Sequence, residues 1–152
     1  MLSEGKATNE VQISWLDEIV QKAESQVLIL VSDGFDDDPV FLLIIELRRA
    51  SKSVQVVGLS KKEVRSAQGI ILQPDLSLDD VNKVEPGTML IIPNGRQINM
   101  HIKTDPRIHE LIKTMLNADN YVIAVPRVVS TLGLILVNDS NRLVSWHYHS
   151  KL

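Results

Sequence analysis

Four carboxylates fall within the seven residues Ser32-Asp33-Gly34-Phe35-Asp36-Asp37-Asp38, and such a cluster has two uses. It can gather a hard cation beside a phosphoryl-accepting aspartate, or it can solvate and cap the start of a helix, whose free N–H groups favour negative charge. The second use fits better, because the third strand ends in Ile92-Pro93 and offers no aspartate to phosphorylate. His147 and His149 stand two apart on a strand-like run, so they face one way and make at most half of a metal site. With no cysteine and no third ligand beside them, a partly exposed strand face is the better reading, and no metal or other cofactor is expected. His101 and His109 are isolated and receive no role. Ser32 and Ser130 are the rim hydroxyls that could serve as nucleophiles, but neither sits in a G-x-S-x-G elbow and no histidine is placed beside them. Arg127 offers a guanidinium fork suited to carboxylate or phosphate. Its expected use is to cross the pocket and pair with Asp33 or Asp36, closing it.

Composition narrows the field. The chain has 152 residues, 44% of them hydrophobic, a formal net charge of -3 and no cysteine. One domain with a real core fits that length. No basic run offers a footprint for nucleic acid or an acidic membrane, so partners are expected among proteins and small molecules. Absence of cysteine excludes disulfides and thiol catalysis and fits a reducing compartment, which makes the cytoplasm the expected location. No apolar run reaches the ~20 residues of a membrane span. Residues 1–13 are polar and expected to be a flexible segment, with a single α/β domain over 14–152.

The elements that position these residues follow from local pattern. Ser14-Trp15-Leu16-Asp17 reads as a capping box opening a helix to about Glu24, with Trp15, Leu16, Ile19, Val20 and Ala23 on one face. Val27 to Val31 is a buried strand, and the acidic loop is its exit. Asp38 as N-cap with Pro39 at the first helical position starts a helix to about Ala50, and Val54 to Val57 completes a right-handed βαβ unit. Glu63 to Gln73 reads as a hairpin or irregular ribbon. Ser77 caps a helical turn through Asp80, and Thr88 to Ile92 is a strand ending in the turn Pro93-Asn94-Gly95. Asp105-Pro106 opens a helix to Asn117 that buries Ile108, Leu111, Ile112 and Met115. Tyr121 to Val125 is the fourth core strand, with Pro126 beyond it and a turn and short helix to follow. Leu134 to Val137 and Leu143 to Tyr148 read as two further strands, with Trp146 and Tyr148 as core or interface anchors. The expected fold is a Rossmann-like or flavodoxin-like three-layer sandwich with a mostly parallel sheet.

Several ordered pieces of this pattern resemble the ThiJ/PfpI family of the class I glutamine amidotransferase-like superfamily. They are Arg48-Arg49-Ala50 with Val57-Gly58-Leu59, Pro74-Asp75-Leu76-Ser77-Leu78-Asp79-Asp80, and Ile92-Pro93-Asn94-Gly95, within about residues 27–132. The resemblance implies a cysteine nucleophile on a strained elbow after the fourth strand and an acidic residue after the first. In this chain those positions fall on Pro126 and Pro39. Proline holds φ near -65°, brings no thiol and removes a backbone N–H that could help hold an oxyanion. The resemblance also implies a histidine-bearing loop, a further strand and a terminal helix for which no counterpart is read here, so a degenerate and C-terminally shortened member is expected.

The expected function is therefore that of a pseudoenzyme: a protein-interaction or regulatory module, expected as a homo-oligomer. The alternative is a small-molecule sensor or unconventional enzyme using a remnant pocket formed by Asp33, Gly34, Asp36, Asn94, Gly95, Pro126 and Arg127.

Overall fold

The computed structural model describes residues 15–135 and 142–146. The expectations for residues 1–13, the Ser14 cap, His147, Tyr148 and His149 lie outside those residues.

Strand β1 (Gln26–Leu30) is a run of branched and apolar side chains buried on both faces, the mark of a central parallel strand. It pairs with β2 (Ser53–Gly58) on one side and, across a jump in sequence, with β6 (Thr88–Ile92) on the other, both parallel. Short β5 (Leu76–Ser77) extends the sheet beyond β2, while β7 (Tyr121–Ala124) and β8 (Leu143–Ser145) extend it beyond β6. Among the described residues the order is β5-β2-β1-β6-β7-β8. The chain thus winds outward from β1 through β2 and β5, then returns to build the other half from β6. The reversal between β1 and β6 is where sheets of this kind leave a crevice beyond their carboxyl ends. A separate antiparallel pair, β3 (Val64–Arg65) with β4 (Ile71–Leu72), forms the expected hairpin.

Strand alternation divides the core in two. Val27 and Ile29 of β1 and Val31 just after it, with Met89 and Ile91 of β6, face one layer, made by helix α1 (15–22) and α2 (Asp37–Arg49). Leu28 and Leu30, with Leu90 and Ile92, face the other, made by α3 (Ile98–Thr104), α4 (Pro106–Asn117) and α5 (Pro126–Ile135). Leu16, Ile19 and Ala23 are buried in the first layer, as their helical spacing required.

Three local expectations need correction. Of the strand placed over Leu134 to Val137, Leu134 and Ile135 are the end of α5, and Leu136 and Val137 lie outside the described residues; an apolar run alone does not separate strand from helix. Helix α2 begins at Asp37, so Asp36 and not Asp38 takes the cap position, where its side chain makes no capping bond. Pro39 is then the third helical residue, which costs nothing because that N–H has no partner inside the helix. Helix α3 has no counterpart in the sequence reading. Only Ile98 and Ile102 anchor it, and Gln97 before it supplies no cap.

Candidate functional site

The loop leaving β1 and the loop leaving β6 meet at the reversal of strand order, and backbone hydrogen bonds hold them together. Phe35 and Gly95 form an isolated antiparallel bridge, Asp36 N donates to Asn94 O at 3.1 Å, and Arg96 N donates to Gly34 O at 3.2 Å. Gly34 has φ +85°, and a Cβ there would stand 2.9 Å from the Arg96 Cβ, so both the turn and the close approach call for glycine. Asp33, Gly34, Asp36, Asn94 and Gly95 are thus neighbours where the two loops meet.

The carboxylates of this loop serve as ties. Asp33 Oδ1 accepts from Arg65 N at 3.0 Å, and Asp36 Oδ2 accepts from Asn94 Nδ2 at 3.3 Å. Asp37 accepts from Ser66 Oγ at 2.5 Å and from Gln68 N at 3.0 Å, fastening the hairpin to the start of α2. No three acidic or histidine side chains converge on a point that would hold a metal ion among the described residues.

The cavity that results has a volume of about 390 Å³ and lies over the reversal point. Asp33, Gly34, Arg96 and Gln97 line it from the sheet side, and Glu63, Val64, Arg65 and Ile71 from the hairpin. Two guanidinium groups and two carboxylates therefore share one opening. Arg65 Nη1 donates to Gly69 O at 3.3 Å. Neither Arg65 nor Arg96 is in an ion pair among the described residues.

Of the residues expected to form the pocket only Asp33 and Gly34 are in this lining; Asp36, Asn94, Gly95, Pro126 and Arg127 are not. Pro126 opens α5, an ordinary place for proline. Both it and Arg127 are exposed. Left-handed backbone among the described non-glycine residues occurs at Ser51 and Asp119 only, so no strained elbow follows β7. The expected pair of Arg127 with Asp33 or Asp36 is not formed among the described residues, since those carboxylates are engaged across the β1 and β6 loops. Ser32 is buried and Ser130 is exposed on α5. Arg65, Arg96 and Gln97 went unrecognised in the sequence. The one available signal was that Arg96 and Gln97 directly follow a turn at a strand's carboxyl end.

A profile of the DJ-1/PfpI family matches residues 25–150. The Parkinson disease protein 7 homolog of Danio rerio is 25% identical over 104 residues, covering 68% of this chain and 55% of that protein. An uncharacterized protein of Archaeoglobus fulgidus is 29% identical over 121 residues, covering 80% of this chain and 71% of that protein. The crystal structure of Drosophila melanogaster DJ-1beta superposes with a TM-score of 0.63 at 21% identity, covering 72% of this chain and 61% of that one. The chain thus spans little more than half the length of the zebrafish relative.

Proposed function

Because the chain belongs to the DJ-1/PfpI family, we propose that it acts as a non-catalytic member, a protein-interaction or regulatory module of the cytoplasm. One observation carries this reading: the chain contains no cysteine, so the thiol chemistry of the family has no nucleophile. The resemblance puts the cysteine position on Pro126. An exposed proline at the start of an unstrained helix fits a site released from catalysis. No helix among the described residues is long and apolar enough to cross a membrane.

The cavity at the reversal of strand order supports a second reading, a sensor of small molecules. Its volume lies within the range of ligand sites, about 300–1,000 Å³. Its paired arginines and carboxylates suit a zwitterion or a small anion, with Arg65 and Arg96 taking the part that the sequence reading gave to Arg127. One experiment separates the two. Purified protein is assayed for glyoxalase, deglycase and peptidase turnover, and its melting is followed against a panel of amino acids and small carboxylates and phosphates. The module reading expects no turnover and no shift in melting. A saturable shift that disappears in Arg96→Ala selects the sensor, and turnover above buffer overturns the non-catalytic assignment altogether.

A further inference from the structure

Helix α1 and the outer strands β7 and β8 enclose a hollow on the face of the sheet opposite α3, α4 and α5. Trp15, Glu18, Ile19 and Lys22 are spaced by three and four residues, so they share one side of α1 and form a wall. The floor is Ile123 of β7 and Val144 of β8, register partners that face the α1 layer. Trp146 adds a second indole, its ring 5.1 Å from that of Trp15 and tilted by 40°. The hollow has a volume of about 230 Å³, below the roughly 300–1,000 Å³ of sites for drug-sized ligands, so its occupant is small. It shares no lining residue with the cavity at the reversal of strand order.

Two charged groups line the hollow, and they are engaged differently. Glu18 and Lys22 stand four apart on the helix, a spacing at which they could pair with each other. Lys22 instead carries its ammonium over the Tyr121 ring at 5.3 Å, and Glu18 makes no ion pair among the described residues. Ile19 and Ile123 are buried while Glu18 is exposed, so the hollow is apolar at its base and acidic at its mouth. The face of an indole ring is the negative end of its quadrupole and attracts cations. Carboxylate and indole rings therefore ask for the same thing, a positive charge on an apolar body. We propose that the hollow binds a small organic ammonium ion, its apolar body against Ile19, Ile123 and Val144 and its charge between Glu18 and the indole rings. An anion would meet the carboxylate and the ring faces with the wrong sign. A neutral apolar molecule would leave Glu18 unused.

This site goes beyond both readings of the function and depends on neither. Its test uses the chain's own chromophores, because the chain has two tryptophans and both line the hollow. The full chain is titrated with 2-phenylethylamine and, separately, with the neutral 2-phenylethanol at constant ionic strength, while tryptophan emission is followed. The expected result is a saturable change in emission that the amine produces at lower concentration than the alcohol. Glu18→Gln keeps the size and shape of the side chain and lies on the exposed side of the helix, so its melting should match that of the parent. It should weaken the amine about three- to fivefold and leave the alcohol unchanged. Arg96→Ala, which alters the cavity at the reversal of strand order, should bind the amine as the parent does. An emission change that does not saturate, or equal affinity for amine and alcohol in the parent, overturns the proposal. So does a preference for the amine that survives Glu18→Gln undiminished, and loss of amine binding in Arg96→Ala would move the ligand to the other cavity.

Discussion

Ser32 lies 5% exposed at the end of the buried run of β1, and its hydroxyl finds no hydrogen-bond partner among the described residues. A buried hydroxyl left unmatched costs about 1–3 kcal/mol, whereas an apolar group of similar size in its place costs little. Ser32→Ala is therefore expected to leave the melting temperature unchanged or to raise it. A loss above about 1 kcal/mol in denaturant titration would mean that the hydroxyl is bonded in solution and helps to hold the rim. The same loop shows where residue-level reading stops. That the loops carrying Asp33, Gly34, Asp36, Asn94 and Gly95 meet was legible because each loop directly follows a strand. Which arginine faces the crevice was not, because Arg65 arrives on a hairpin held by Asp33 and Asp37, a pairing that links residues about thirty apart. Arg127 follows its strand just as closely but turns outward on the first turn of α5.

Among the elements, α4 has the most explicit local instructions. Asp105 Oδ1 accepts from Arg107 N at 3.0 Å as N-cap, Pro106 takes the first helical position, and Ile108, Leu111, Ile112 and Met115 fill the core at helical spacing. Arg107 also donates to Asp105 Oδ2 at 2.7 Å and to Leu59 O at 3.1 Å, tying the helix start to the loop after β2. The Arg107 side chain and backbone hydrogen bonds hold the Asp105 carboxyl below its usual value, against the opposing effect of burial. A depressed carboxyl stabilises the fold fully above its unfolded value, near pH 4, and that contribution fades as pH falls through the folded value. Asp105→Ala is therefore expected to cost about 1–2 kcal/mol at neutral pH, with Asp105→Asn costing less because it keeps an acceptor for the cap. Both differences should narrow in urea titrations taken below about pH 4. A gap independent of pH would assign the effect to packing. Elements with such signals, namely β6, α4 and the Ser77–Asp80 capping box, stand where the sequence put them. Those that depend on neighbours do not. Helix α3 is seven residues held by two isoleucines, and Leu134 and Ile135 are helical because α5 continues into them from a core that already buries Val128 and Leu132.

At the scale of the whole molecule the sheet needs cover on both faces, because β6 is buried throughout and β1 from Val27 onward. Three helices cover one face, while the other depends on α2 and on α1, whose Leu16 and Ile19, with Ala23 just beyond its end, are buried over it. Helix α1 also joins the two ends of the described chain. The Trp15 ring stands 5.1 Å from that of Trp146, which follows β8 and is itself buried, and Lys22 lies over the Tyr121 ring of β7 at 5.3 Å. Leu16 and Ile19 of α1 each contribute on the order of 1.5–3 kcal/mol when fully withdrawn from water. Together they supply about 3–6 kcal/mol, a large share of the roughly 5–15 kcal/mol that separates folded from unfolded in an ordinary domain. Removing residues 1–24 would thus take away a helix and also uncover Ile123, Val144 and Trp146 at the edge where β7 and β8 meet. The expected outcome is loss of a single cooperative melt by circular dichroism and a shift to larger species in sizing chromatography. Trp15→Ala, which spares the helix, should lower stability by an intermediate amount and alter the fluorescence of the remaining Trp146. Unchanged melting and unchanged size in the truncated protein would show that the sheet face closes without α1, and the role given to the helix would be wrong.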